Sequence, residues 1–99
     1  MHTIESDDPF EWDRARARAN LRRHGLRFAD AVGVFEDERA CTRPDVATAL
    51  DERRFVSLGR DRTGRTVVVG YAKRGRRIHI LWMRPATPAE RRRYLESDR

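Results

Sequence analysis

The 99 residues hold a single cysteine, Cys41. A lone cysteine closes no internal disulfide, which excludes a disulfide-stapled secreted scaffold and fits a reducing cytosol. Long apolar runs are also missing. None approaches the ~20 residues of a membrane-crossing helix, so no membrane partner is expected. The stretch from Met1 to Phe10 is acidic and polar, unlike a secretory signal. The expected location is therefore the cytoplasm. Three scattered histidines and one cysteine have no zinc-site spacing. A glycine-rich phosphate loop and a nucleophile elbow are both lacking. No metal or cofactor is expected on these grounds.

What is plentiful is charge. Charged residues make up 38% of the chain and apolar ones another 38%, which describes one small domain over residues 1–99 with a thin core. The net charge is +6, and 21 of the 22 basic residues are arginine. Arginine grips a phosphate with two parallel hydrogen bonds, so a nucleic-acid or acidic-protein partner becomes more plausible than for an average chain. The charge is also segregated. Residues 1–13 carry five acids and no Lys or Arg; residues 14–27 carry six Arg and no acid. Acid returns over 28–52, and residues 53–84 hold ten Lys or Arg against Asp61 alone.

Local signals place the elements. Phe10-Glu11-Trp12 reads as a short strand contributing Phe10 and Trp12 to the core. Asp13 is an N-cap for a helix from Arg14 to His24, rich in Ala and Arg. Trp12, Ala15, Ala19 and Leu21 are its expected apolar stripe. Gly25 ends it in the left-handed conformation, with Leu26 packing just beyond. Phe28, Ala31, Val32 and Phe35 have helical spacing. Phe55–Leu58, Thr66–Tyr71 and Ile78–Met83 read as strands joined by turns at Gly64 and Gly75. Arg39–Arg43 reads as an edge strand. Thr42–Ala49 is the nearest thing to a flexible stretch. Thr87-Pro88-Ala89-Glu90 is a capping box opening a last helix that runs to about Glu96. The order implies an α+β fold.

At this level the chain resembles the BrnT family of toxins. The resemblance is carried by Trp12-Asp13, Asn20, Arg23-His24-Gly25 and Phe28, then Arg54-Phe55 with Leu58-Gly59. It ends on Arg84, Ala86, Thr87, Glu90-Arg91 and Tyr94, and so spans Phe10 to Tyr94. It implies a RelE-like fold: an N-terminal strand and two helices packed on an antiparallel sheet of about four strands, with a C-terminal helix. It implies a ribonuclease toxin of a type II toxin–antitoxin pair, held inactive by BrnA, an antitoxin with a ribbon-helix-helix DNA-binding domain. The expected assembly is a heterotetramer that contacts operator DNA only through the antitoxin. The sequence departs from the family at Arg14, where Pro is usual, and at Arg27, where a Ser would cap the second helix. His79 replaces an Arg and Trp82 a Ser.

RNA cleavage without metal needs a base for the 2′-OH, cations for the phosphate and an acid for the leaving oxygen. Arg54 and Arg84 match the family pattern and are the candidates for stabilising phosphate; read as structure alone, they are surface ion pairs with Glu52 or Glu90. His79 and His24 are the acid/base candidates, because imidazole gives and takes protons near neutrality. The structural alternatives are a half-exposed strand histidine and a helix-end cap. Arg16 and Arg23 share a helix face and are candidates to track RNA or receive an acidic antitoxin segment. Tyr71 and Trp82 are candidates to stack on RNA bases, set against the commoner role of strand aromatics in a core; Tyr94, in the last helix, is a candidate to reach RNA through its hydroxyl, set against packing on the sheet. The expected function is metal-independent endoribonuclease action that inhibits translation and growth. The alternative is a catalytically weak or inactive toxin fold that binds the antitoxin and modulates operon repression. The resemblance implies a third reading, since some relatives of the wider fold inhibit DNA gyrase.

Overall fold

A computed structural model describes residues 2–3, 8–45 and 53–97. The elements run β1 (His2–Thr3), β2 (Phe10–Trp12), α1 (Arg14–His24), α2 (Phe28–Glu36), β3 (Cys41–Pro44), β4 (Arg53–Arg60), β5 (Thr66–Arg74), β6 (Arg77–Pro85) and α3 (Pro88–Glu96). Residues 46–49 of the expected flexible stretch lie outside the described residues, as does Glu52. Thr42–Pro44, at the start of that stretch, belong to β3.

The helix signals act as their chemistry dictates. The Asp13 carboxylate accepts from the Ala15 N–H, and Gly25 ends α1 at φ 68°. Arg27 gives α2 no side-chain cap. Thr87 and Glu90 form the reciprocal capping box of α3.

The described strands form one six-stranded sheet in the order β1-β2-β6-β5-β4-β3. The fold is the expected α+β arrangement; the sheet holds somewhat more than the N-terminal strand and about four antiparallel strands expected, and it is mixed, because β2 runs parallel to β6. A parallel neighbour needs a long crossover, and the whole chain between Trp12 and Arg77 supplies it.

The sheet carries a layer on each face. On one face α1 and α2 bury Phe10, Trp12, Leu26, Phe28, Ala31 and Val34 against Val67, Val69, Tyr71, Ile80 and Met83. On the other, Tyr94 from α3 packs with Val56, Leu58, Val68 and Ala86, and Trp82 lies against them. The stripe expected on α1 is displaced. Ala15 and Ala19 are exposed, while Ala17 and Leu21 are half-buried and Asn20 is buried. The reason is polar: Asn20 anchors the helix, its Oδ1 accepting from the Met83 N–H at 3.1 Å.

Candidate functional site: a basic cleft between α1 and the end of β6

β2 is only three residues long and, of β6, pairs with Ile78–Ile80 alone. β6 continues to Pro85, so among the described residues no strand pairs with its last residues on that side. Helix α1 takes the vacant edge through the Asn20 bond. Between them is a hollow of about 460 Å³, lined by Arg16, Ala19, Asn20, Arg23 and His24 from α1 and by Leu81, Trp82, Met83 and Arg84 from β6.

Five residues singled out from the sequence thus meet here: Arg16, Arg23, His24, Trp82 and Arg84. Arg16 and Arg23 arrive together because seven residues are close to two helical turns. Trp82 arrives by an irregularity. A register shift between Gly70 and Tyr71 breaks the β5–β6 ladder, so Tyr71 faces Ile80 and Gly70 faces Trp82. Ile80 and Met83 therefore share the α1/α2 face, and Trp82 turns to the α3 face. There the indole lies across Gly70, where a Cβ would collide with the ring.

Arg84 forms the far wall. Its Nη1 and Nη2 donate to Glu90 Oε1 and Oε2 at 2.8 and 3.0 Å, and Nη1 also donates to the Pro85 carbonyl. The hydrogen bond from Arg84 holds the Glu90 carboxyl down at about 2, and the same bond raises the guanidinium of Arg84. Arg84 is fixed in place and partly neutralised.

The other candidates do not reach this hollow. Arg54 shares the α3 face with Arg84 but stands opposite Ala72, whereas Arg84 stands opposite Val68. Four strand residues, roughly 13 Å, separate the two rows. The two expected phosphate-stabilising arginines therefore do not converge on a single phosphate: they act on different parts of a substrate or not together. Tyr71 faces the core at 3% exposure, and its hydroxyl meets Ser57 Oγ at 2.9 Å. No base can stack on it without unpacking the sheet. Tyr94 is 2% exposed and donates to Asp37 Oδ2 at 2.7 Å. Burial and that bond raise the Tyr94 hydroxyl. Asp37 is pushed up by burial, but bonds from Tyr94 and from the Arg60 and Arg39 N–H groups outweigh this and leave it lowered. This pair ties α3 to the end of α2 and is structural. His79 is buried and bonded to Glu11, its Nδ1 2.9 Å from Oε2. Sequence reasoning passed over Glu11. Sixty-eight positions separate it from His79, and only the parallel pairing of β2 with β6 joins them.

Among the described residues no three His, Cys, Asp or Glu side chains are grouped to hold a metal ion. What the cleft offers is guanidinium, imidazole and indole: groups that bind phosphate, move protons and stack on bases.

The sequence pattern of a family described as "Ribonuclease toxin, BrnT, of type II toxin-antitoxin system" matches residues 12–90. The chain belongs to this family. Among solved structures it is similar to the Brucella abortus ribonuclease toxin BrnT, with a TM-score of 0.62 and 26% identity, covering 77% of this chain and 92% of that one. A comparison with curated proteins finds no match. Family membership implies a protein antitoxin as partner. The match to residues 12–90 begins at β2 and ends in the first turn of α3, so it takes in both walls of the cleft.

Proposed function

We propose that this chain is a cytoplasmic endoribonuclease toxin that cleaves RNA without a metal ion, inhibits translation and growth, and is neutralised by a BrnA-like ribbon-helix-helix antitoxin. The pair assembles as a heterotetramer that meets operator DNA only through the antitoxin. The observation that carries the reading is the cleft: Arg16, Arg23, Arg84, His24 and Trp82 line one hollow in a chain of a ribonuclease family. Guanidinium groups hold the RNA backbone, and the half-exposed indole of Trp82 offers a stacking surface for a base.

The reaction is an in-line displacement. The 2′-oxygen gives up its proton and bonds to phosphorus. The bond from phosphorus to the 5′-oxygen breaks, and that oxygen takes a proton from solvent. The products are a 2′,3′-cyclic phosphate and a 5′-hydroxyl. Incubation of the purified protein with single-stranded RNA in EDTA tests this. Fragments with cyclic phosphate ends are expected, and RNA left intact at every protein concentration ends the proposal.

The Arg84–Glu90 pair favours one second reading, in which the chain keeps the toxin shape, binds the antitoxin and cleaves weakly or not at all. Growth arrest on induction, abolished by Arg16→Ala with Arg23→Ala, rules it out.

A further inference from the structure

We infer that His79 is the group that takes the 2′-OH proton and that Glu11 is its positioning residue; this rests on the ribonuclease reading above. Glu11 and His79 are directly opposed in the β2–β6 register, on the α3 face of the sheet. Both are buried, at 7% and 4% exposure. A carboxylate can only accept, so the 2.9 Å contact requires Nδ1 of the imidazole to carry the hydrogen. In a neutral ring Nε2 is then bare, and it lies on the opposite edge from Glu11. A bare, fixed nitrogen is the form a general base needs. In water an unassisted imidazole does not hold this tautomer fixed; the partner selects it.

Cations complete the arrangement. Arg74 Nη1 and Arg77 Nε lie 3.8 and 3.7 Å from the Glu11 oxygens. Their side chains are 43% and 39% exposed, so both can extend toward a phosphate. Arg77 Nη1 is buried with no hydrogen-bond partner among the described residues. Extending the side chain to a phosphate would give this unsatisfied donor a partner. Arg54 stands across Ala72 from His79 on the same face, two strands or about 10 Å away. Among the described residues the charged groups around His79 are therefore Glu11 from β2, Arg74 from β5, Arg77 from β6 and Arg54 from β4.

The dyad also connects with the cleft. Along β6 the residues turned to this face are His79, Trp82 and Arg84, opposite Ala72, Gly70 and Val68. Each step is two strand residues, about 7 Å. An extended RNA strand following β6 places one phosphate by Arg84 and the cleft, a base on Trp82, and the reacting ribose at His79, which at 4% exposure is reached as the solvent-exposed Arg74 and Arg77 side chains turn to the phosphate. There Nε2 accepts the 2′-OH proton, the 2′-oxygen bonds to phosphorus, and the 5′-oxygen leaves with a proton from solvent.

The test pairs kinetics with nitrogen NMR on the full chain. Wild type must cleave an oligoribonucleotide in EDTA; intact RNA overturns both this inference and the function it rests on. Given cleavage, His79→Asn is expected to lower kcat about 10²–10⁴-fold. Glu11→Gln should lower kcat with KM little changed, and Glu11→Asp should restore part of it. A His79→Asn protein that cleaves at the wild-type rate overturns the assignment alone. Should a variant fold poorly, the wild-type ring decides. Its ¹⁵N shifts should show Nδ1–H and move on adding a 2′-O-methyl oligonucleotide. A ring protonated at Nε2, or shifts that do not move, overturns the proposal.

Discussion

Arg84, near the end of β6, and Glu90, in the first turn of α3, face each other as a two-toothed ion pair with N–O distances of 2.8 and 3.0 Å. Glu90 has a second task, since its Oε1 also accepts from the Thr87 N–H at the helix start. One carboxylate thus fixes a cleft arginine and caps the helix that packs on the sheet through Tyr94.

Acid should undo this pair in a defined window. The Glu90 carboxyl lies at about 2 in the folded chain, against an ordinary value of 4.5. A folded value below the unfolded one adds stability above the ordinary value and loses it as pH falls toward the folded value. The side chains are 37% and 24% exposed, so solvent screening reduces the contribution to about 1–2 kcal/mol. Glu90→Gln keeps a capping-box residue and removes only the charge. Urea unfolding at pH 7 should show the variant less stable by that amount, and the gap should close between pH 4.5 and pH 2. A gap that persists at pH 2 would mean that lost packing, not charge, is the cause.

The two arginines of α1 should carry measurable backbone contacts. Each phosphate neutralised on a single strand contributes about 0.7 to the slope of log affinity against log salt. Arg16→Ala and Arg23→Ala should each weaken binding of a labelled, 2′-O-methyl oligonucleotide and lower the slope by about that amount. Fluorescence anisotropy over a salt series reads it. Slopes that match wild type would place the RNA elsewhere.

Gly70 should be intolerant of a side chain. A Cβ there collides with Cε2, Nε1 and Cζ2 of Trp82, which are ring atoms that cannot bend away. Gly70→Ala must lift the indole off the sheet, at a cost of about 1–3 kcal/mol. Tryptophan emission should shift and RNA binding should weaken together. Unchanged emission would show that the indole does not rest there.

Where the sequence was a reliable guide, the rule was local. Asp13, Gly25 and the Thr87–Glu90 box fix helix ends from four or five residues of chain, and each does so. Val67–Val69 form the centre of a buried strand for the same reason. Strict alternation from Ile78 fails at Trp82, because the register shift after Gly70 adds a residue to β6. Tyr71 and Tyr94 offered hydroxyls and rings, but which way each points depends on Ser57 and Asp37, distant in the chain. Glu11 carried no signal at all. Its meaning comes from a parallel strand pairing that no turn or spacing announces. Arg16 and Arg23 were legible as one helix face, but the wall opposite them exists only because β2 stops after three residues.

Asn20 should matter more than any other side chain of α1, although it takes no part in the chemistry. Its Oδ1 is the partner of the Met83 N–H, and both groups are buried. Its amide is 3.5 Å from the Leu26 carbonyl, a long contact and the weaker of the two. Asn20→Ala leaves a buried N–H without an acceptor, which costs about 1–3 kcal/mol. It also releases the helix from the strand edge that forms the cleft. Asn20→Asp keeps an acceptor for the Met83 N–H but buries a charge and sets an oxygen against the Leu26 carbonyl, so the comparison is read at the Met83 amide and not from global stability. Hydrogen exchange at the Met83 amide should speed up in Asn20→Ala and less so in Asn20→Asp. RNA affinity should fall in the same order, because Arg16 and Arg23 face Arg84 only while α1 is held. Equal exchange in the two variants would show that this bond does not hold the helix, and the cleft would need another explanation.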